Sequence, residues 1–266
     1  MIPASVRYHR AASLDDALAA LAEPEARALA GGQSLLAVMK LRIAQPSVVV
    51  DIGRLDLRGI EASDGELRIG ALTTWDELAE GEALDRPALA ALAECASVIG
   101  DLQVRNRGTV GGSLAHADPA SDMPAVLLAL GASLELRSVR ARRVVSLADF
   151  FVAPFMTALE AGELITEVVV PLPPSGSGSA YAKIEHPASG FALAGAAALV
   201  QADGAQQIAL TGVGATPLLV ANGDHETLAA TEIYGDGFAP ADYRRHLAGV
   251  LVARALTRAQ QRMEQP

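Results

Sequence analysis

Two glycine pairs in this sequence stand beside hydroxyl side chains and shortly before a predicted helix. The first lies in AGGQSLL, residues 30–36, and the second in GTVGGSLAHADP, residues 108–119. Glycine leaves the backbone open to close approach, and the start of a helix offers unpaired N–H groups and the positive end of a dipole. One such loop would be ordinary turn chemistry. Two of them, with Ser34, Thr109 and Ser113 as hydroxyl donors, favour the binding of a dinucleotide through its diphosphate.

The spacing of the glycines separates these loops from the better-known nucleotide motifs. Neither loop matches a Walker A sequence, and a Rossmann fingerprint would need G-x-G-x-x-G, whereas here the glycines are adjacent. His116 follows the second pair and could be a metal ligand, but no second His, Cys or Glu stands at ligand spacing. We therefore interpret His116 as a loop residue that contacts a ligand through its backbone, and we predict neither a metal site nor a catalytic side chain.

Composition limits the classes of function open to the chain. Of its 266 residues, 51% are hydrophobic and 20% are charged, which is typical of a folded globular protein. The 21 Lys and Arg against 31 Asp and Glu give a net charge of −10, and without a basic run the sequence argues against nucleic acid as a partner. An acidic chain must build any phosphate site locally, from backbone N–H groups.

The cysteine count limits the disulfide and iron–sulfur chemistry open to the chain, and the first residues bear on its cellular compartment. Cys95 alone excludes an internal disulfide, and it excludes an iron–sulfur cluster held by this chain alone, which takes about four thiolates. The start, MIPASVRYHR, resembles neither a signal peptide nor an anchor. The longest apolar stretches are shorter than the roughly 20 residues of a membrane helix. We therefore expect a soluble cytoplasmic protein with no membrane span.

Short periodic patterns predict the elements around the first glycine loop. Ser13 has the position of an N-cap for a helix whose Leu14, Leu18 and Leu21 share one face. A strand over 26–30 enters the loop, a helix over 35–44 follows it, and the β-branched run at 47–52 predicts a buried strand.

The second loop belongs to a longer unit. Alternation around Ser-Asp-Gly predicts a hairpin over 57–72, and Thr74 with Glu77 forms a capping-box pattern. An amphipathic helix over 86–99 precedes the loop, which we expect to be irregular from about Asp101 to Ala120. Ser121 or Asp122 would cap a helix over 123–130, before short strands around 132–145 and 164–170.

A proline- and glycine-rich segment, PLPPSGSGS at 171–179, has the composition of a linker. Beyond it, the patterns predict three strands of an antiparallel sheet and a last helix, at 180–186, 191–200, 207–216 and 240–262. The predicted class is α+β. The predicted division is a subdomain at 1–55, a second at 56–172 and a C-terminal domain at 178–266.

Five segments together carry a resemblance to a known family. They are AGGQSLLAVMKLR (30–42), RNRGTVGGSLAHADPASDMPAVLLAL (105–130), AYAKIEHPASGFALAGAA (180–197), GVGATPLLV (212–220) and DYRRHLAGVLVARAL (242–256). The chain resembles the FAD-binding medium subunits of molybdenum hydroxylases, the carbon monoxide dehydrogenase and xanthine dehydrogenase family. The resemblance covers almost the whole chain. It implies an α+β fold with two subdomains that bind FAD, and a C-terminal domain with a three-stranded antiparallel sheet and helices.

The resemblance also implies which residues contact FAD, without a covalent link. In the first loop these are Ala30, Gly31, Gly32, Gln33 and Ser34 on the pyrophosphate, with Leu35 beside them. In the second they are Thr109, Val110, Gly111, Gly112 and Ser113 on the diphosphate and the ribityl side, with His116 beside the flavin. Asp122 would hydrogen-bond the cofactor, Ile165 would be an apolar neighbour, and Lys183 would stabilise negative charge at the pyrimidine edge of the ring. Phe191 stands where some relatives place an aromatic residue over the isoalloxazine.

Several of these residues also have simpler interpretations. Asp122 could be only a helix cap, Asp118 before Pro119 only part of a turn, and Lys183 only a solvated strand residue. Cys95 falls on the apolar face of its predicted helix, which indicates an inert core residue.

The function implied by the resemblance is electron transfer within a complex. A large partner would hold the molybdenum cofactor and a small partner two [2Fe–2S] clusters, in a dimer of heterotrimers, and FAD would pass electrons to a quinone, NAD or oxygen. Two alternatives stay open. A self-contained FAD-dependent oxidase or reductase would need its own acid or base above the flavin, and a non-enzymatic nucleotide-binding or assembly protein would carry no flavin.

Overall fold

The computed structural model describes residues 2–221 and 231–264, and within them the chain forms three larger β-sheets and a two-stranded ribbon. Helices lie between and against the sheets, so the predicted α+β class is confirmed. Residues 222–230 lie outside the described residues.

The first sheet is parallel and carries the first glycine loop. Its elements are β1 (Arg7–Arg10), α1 (Leu14–Leu21), β2 (Ala26–Leu29), α2 (Leu35–Lys40) and β3 (Val48–Asp51), with strand order β1-β3-β2. The predicted cap of α1 is confirmed, because the Ser13 hydroxyl accepts a hydrogen bond from the Asp16 N–H. The pattern did not predict β1, since RYHR shows no alternation of apolar residues and only its pairing with β3 defines it as a strand.

The second sheet is antiparallel and carries the second glycine loop between its strands. Its elements are β4 (Ile60–Ser63), β5 (Glu66–Gly70), α3 (Trp75–Ala79), a 3₁₀ turn (Glu82–Leu84), α4 (Ala90–Ser97), α5 (Leu102–Arg105), α6 (Val110–His116), α7 (Met123–Ala129), β6 (Ser133–Arg137), β7 (Arg142–Ser146), α8 (Leu147–Phe150), β8 (Phe151–Ala153), β9 (Met156–Thr157) and β10 (Leu164–Pro171). The strand order is β4-β5-β10-β6-β7, and β8 pairs with β9 in the separate ribbon. The capping box of Thr74 and Glu77 is present at the start of α3, as predicted.

The prediction of an irregular loop over 101–120 is wrong, because α5 and α6 lie within it. Asp101 caps α5 by accepting from the Val104 N–H at 2.8 Å. Thr109 caps α6 by accepting from the Gly112 N–H at 3.2 Å. The glycine pair is unfavourable for a helix. Gly111 nevertheless allows α6 to approach Ala71 closely, because a Cβ added at Gly111 would lie 2.6 Å from the Ala71 Cβ and 2.9 Å from the Ala71 carbonyl oxygen.

The third sheet is antiparallel and has four described strands, not the three that the sequence predicted. They are β11 (Gly178–Glu185), β12 (Ala192–Val200), β13 (Gln206–Thr211) and β14 (Leu218–Ala221), followed by α9 (Ala241–Met263), which packs on β11 and β12. The pattern extended the third strand to residue 216. The strand in fact ends at Thr211, because Gly212 has a left-handed backbone (φ 74°), and the chain returns as β14.

The predicted linker is shorter than its composition indicated, since β10 extends to Pro171 and β11 begins at Gly178. Apolar contacts also cross this connection, because Tyr181 and Leu199 of the third sheet belong to the same core cluster as residues of the second. The division at 1–55, 56–172 and 178–266 therefore stays a prediction. Across residues 2–221 and 231–264, none of the helices has the length and apolar character needed to span a membrane.

Candidate functional site

The two glycine loops that the sequence singles out lie side by side. The first loop leaves the carboxyl end of β2, the edge at which open parallel sheets bind ligands. A Cβ added at Gly31 would lie 1.8 Å from the Arg107 carbonyl oxygen, and one added at Gly112 would lie 3.7 Å from the Ala30 Cβ. The missing side chains therefore allow the loop after β2 to contact the start of α6, and the structure joins both loops into one site.

The first loop presents backbone donors that the described part of the chain does not use. Gly32 has a left-handed backbone (φ 79°), and the N–H groups of Gly31, Gly32, Gln33 and Ser34 have no acceptor among residues 2–221 and 231–264. Ser34 begins α2, yet its hydroxyl accepts no capping bond from the described residues. Consecutive N–H groups around a left-handed residue form a concave anion site, so this loop can receive a diphosphate.

The sequence predicted that the second loop would also present unpaired N–H groups. In the structure, the first N–H groups of α6 already donate to backbone carbonyls. Val110 donates to the Thr73 carbonyl at 3.0 Å and Gly111 donates to the Ala71 carbonyl at 2.8 Å. Val110 and Gly111 are buried, whereas Gly112, Ser113 and His116 keep some exposed surface. The Thr109 hydroxyl is buried and caps α6, and the Ser113 hydroxyl bonds the Ser121 hydroxyl at 2.9 Å. The second loop therefore offers a surface without side chains at Gly112, and the run of consecutive N–H groups that have no acceptor among the described residues lies in the first loop.

Asp122 and Lys183 meet in the protein interior. Asp122 is buried at the start of α7, and its carboxylate turns to the Tyr181 hydroxyl, which donates to it at 2.6 Å. The Lys183 ammonium lies 3.3 Å from the same carboxylate, and the Lys183 side chain is only 7% exposed. Asp122 stands at the N-cap position of α7 but makes no side-chain capping bond with the described residues, and Lys183 is not a solvated strand residue.

Burial governs the protonation of this group of side chains. It raises the pKa of Asp122 above its usual value, while the Lys183 charge and the Tyr181 hydrogen bond act in the opposite direction. Burial, then the Asp122 charge, raises the pKa of Tyr181. Burial also raises the pKa of the Cys95 thiol, which stays protonated as expected of a core residue.

The remaining residues that the sequence predicted for the site each have identifiable neighbours in the structure. The His116 ring lies edge-on to Phe155, with 5.3 Å between ring centroids. Ile165 is buried in β10 within the main core cluster, beside Thr166, whose carbonyl accepts from the Ala71 N–H. Phe191 is 45% exposed and directly follows Gly190, whose carbonyl accepts from Lys183 at 2.9 Å. Asp118 accepts from the Ala120 N–H at 2.9 Å, which is the predicted turn.

Sequence reasoning missed Tyr181 as a hydrogen-bond partner of Asp122. Its signal was available, because residues two apart on a strand share a face and Tyr181 precedes Lys183 by two positions on β11. The contact with Asp122 was not available, since it depends on how α7 packs against the third sheet.

A loop whose consecutive N–H groups have no acceptor among the described residues, in contact with the start of α6, fits the diphosphate of a dinucleotide. Comparison with known proteins agrees. The family model described as the FAD binding domain in molybdopterin dehydrogenase matches residues 4–173. The chain belongs to this family of FAD-binding oxidoreductase subunits.

Particular relatives match over nearly the full length. The carbon monoxide dehydrogenase medium chain of Afipia carboxidovorans is 38% identical, over 98% of this chain and 99% of that protein. The 6-hydroxypseudooxynicotine dehydrogenase complex subunit alpha of Paenarthrobacter nicotinovorans is 36% identical, over 97% and 96%. The solved quinoline 2-oxidoreductase from Pseudomonas putida gives a TM-score of 0.91 at 30% identity and covers 100% of both chains. These matches confirm the resemblance that the glycine loops indicated.

Proposed function

We propose that this chain takes electrons from the [2Fe–2S] clusters of a small partner subunit and passes them to an external acceptor through FAD. The row of unused N–H groups at Gly31–Ser34 is the observation that carries this proposal, because it supplies a diphosphate site in a chain of net charge −10. When bound, FAD supplies the redox chemistry, and the protein supplies binding and electrostatics.

The residues of the site have separate roles in this proposal. The first loop, from Ala30 to Leu35, holds the pyrophosphate with its N–H groups. Thr109 to Ser113 contribute hydroxyls and a close, side-chain-free surface, with His116 beside the flavin. Asp122 and Lys183 orient the ring, and Ile165 is an apolar neighbour.

The partners are proposed from the names of the relatives and from the lone cysteine. Relatives are called medium chain or medium subunit, as in carbon monoxide dehydrogenase and nicotine 6-hydroxylase, which places such chains between larger and smaller subunits. Cys95 cannot by itself hold a cluster, so the iron–sulfur centres belong to the small partner and the molybdenum cofactor to the large one. We propose a dimer of heterotrimers in the cytoplasm.

The substrate of such a complex does not follow from this chain. Relatives are named for carbon monoxide, nicotine, caffeine and glyceraldehyde, although all of them match the same chain. Electron transfer, and not substrate recognition, is therefore the role that these subunits can share.

The first test is the nature of the flavin link. The purified chain should be yellow, and after acid precipitation and centrifugation the colour should stay in the supernatant, because neither loop offers a side chain for a covalent bond apart from His116. Colour in the pellet that His116→Ala removes would contradict non-covalent binding. A preparation that takes up no flavin at all would favour the nucleotide-binding or assembly alternative.

A further inference from the structure

Tyr181 is buried at the contact between the second and third sheets, with 2% of its surface exposed. Its hydroxyl donates to Asp122 Oδ1 at 2.6 Å. This is the shorter of the bonds that Asp122 receives, because Lys183 Nζ lies 3.4 Å from Oδ2. A short hydrogen bond from a hydroxyl to a carboxylate is among the stronger kinds, so the Tyr181 hydroxyl gives this carboxylate a directional partner in addition to the Lys183 charge.

The opposite strand leaves room for this hydroxyl. Gly195 on β12 is paired with Lys183, and a Cβ added at Gly195 would lie 2.4 Å from the Tyr181 hydroxyl oxygen. It would also lie 2.9 Å from the Thr211 Cγ2. Glycine at this position is therefore what allows the tyrosine to reach Asp122.

Other bonds hold the two charged groups independently of Tyr181. Lys183 Nζ donates to the carbonyls of Val98 and Gly190, each at 2.9 Å. The Thr211 hydroxyl donates to the Ser121 carbonyl at 2.6 Å and so holds the backbone next to Asp122. With the ammonium and the backbone already fixed, the orientation of the Asp122 carboxylate is what the Tyr181 hydroxyl decides.

We propose that Tyr181 is a positioning residue of the flavin site, whose hydroxyl fixes the Asp122 carboxylate so that the Asp122–Lys183 pair presents a fixed charge pattern to FAD. The inference rests on the proposed contacts of Asp122 and Lys183 with the cofactor. Dipoles and charges that are oriented in advance need no rearrangement when a ligand binds or changes charge. Tyr181 acts through Asp122 and need not touch FAD.

The test compares Tyr181→Phe, which keeps the buried ring, with Gly195→Ala, which keeps the hydroxyl but displaces it. Tyr243→Phe on α9 is the control, because it removes a half-exposed tyrosine hydroxyl elsewhere. In the FAD-free chain, the ¹³C carboxyl resonance of Asp122 should move in both test variants and stay in place in the control. With native circular dichroism, oxidised FAD should bind about tenfold more weakly to Tyr181→Phe, because the Asp122 carboxylate would then have to be ordered when FAD binds.

The flavin midpoint potential separates positioning from packing. It should become more positive in Tyr181→Phe, because a carboxylate that is no longer fixed compensates the Lys183 charge less well, and that charge favours the reduced ring. If the parent chain binds FAD, and Tyr181→Phe has the same FAD affinity and the same potential, the inference is overturned and the proposed function stands. If the parent chain binds no FAD, both are overturned.

Discussion

Gly32 is the residue whose backbone geometry decides whether the first loop can hold a diphosphate. Its φ of 79° lies in the left-handed region that side chains disfavour, and the neighbouring N–H groups have no acceptor among the described residues. The sequence predicted a close approach at both glycine pairs. The structure shows that glycine has a different role in each pair. Gly32 has a left-handed backbone, whereas Gly112 lies inside α6 with a helical backbone.

Gly32→Val should abolish FAD binding in a folded protein. The left-handed backbone would cost about 1–2 kcal/mol with a side chain, and the new Cβ would lie 3.0 Å from the Leu36 Cδ1, so the loop must change shape. Gly65→Val is the matched control. Gly65 has a φ of 80° in the β4–β5 turn, with no described atom within 4 Å of an added Cβ, so the backbone cost is similar and the flavin content should be unchanged.

Flavin content and circular dichroism, measured on both variants, check this prediction. Equal flavin in Gly32→Val and in the parent chain would show that the first loop does not bind the diphosphate. Equal loss in both variants would show that destabilisation alone explains the effect.

At the residue scale, the sequence could not predict how the proposed site residues contact one another. The resemblance implied Thr109, Asp122 and Lys183 as cofactor contacts, which stays a prediction, but the pairing of Asp122 with Lys183 joins α7 to β11 and depends on tertiary packing. Tyr181 was missed because an apolar aromatic on a strand is typical of a core residue, and its hydroxyl partner lies far away in the sequence.

At the element scale, α6 supports the second loop and depends on its cap. The helix has seven residues and includes both glycines, so its own propensity is low. Its first turn is held by the Thr109 hydroxyl and by the carbonyls of Ala71 and Thr73. The sequence did not predict this helix, because a Gly-Gly pair is typical of a loop. The packing against Ala71 that favours the helix is visible only in the structure.

Thr109→Val should lower both stability and FAD affinity. The substitution keeps the shape of the side chain but removes the acceptor for the Gly112 N–H, which costs about 1 kcal/mol and lowers Tm by about 2–4 °C. Ser13→Ala is the control, since it removes the corresponding cap from α1, with a similar fall in Tm and no change in FAD affinity. Thermal melts and FAD titrations measure both effects. If the two variants behave alike, the cap of α6 is not coupled to the flavin site.

At the scale of the whole molecule, the two glycine loops come from the units of the first and second sheets, and the buried Asp122–Lys183 pair joins α7 to the third sheet. The sequence predicted the order of elements in the second and third sheets well, because their strands alternate or are continuously apolar. It missed the edge strands β1 and β14 of the first and third sheets and the ribbon of β8 and β9, where pairing and not composition defines the strand.

The isolated chain, loaded with FAD, should not oxidise carbon monoxide or a small organic substrate at a useful rate. It has one cysteine, which is buried, and the acidic group of its site, Asp122, is bonded to Tyr181 and Lys183 and does not act as a base. The chain should still pass electrons from an artificial reductant to a dye, because FAD supplies that chemistry. Co-expression with an iron–sulfur subunit and a molybdenum subunit should produce substrate-dependent dye reduction, and a Gly32→Val chain in the same complex should remove it. Sustained substrate turnover by the isolated chain would instead establish a self-contained oxidase or reductase, since it would show that this chain carries an acid or base of its own.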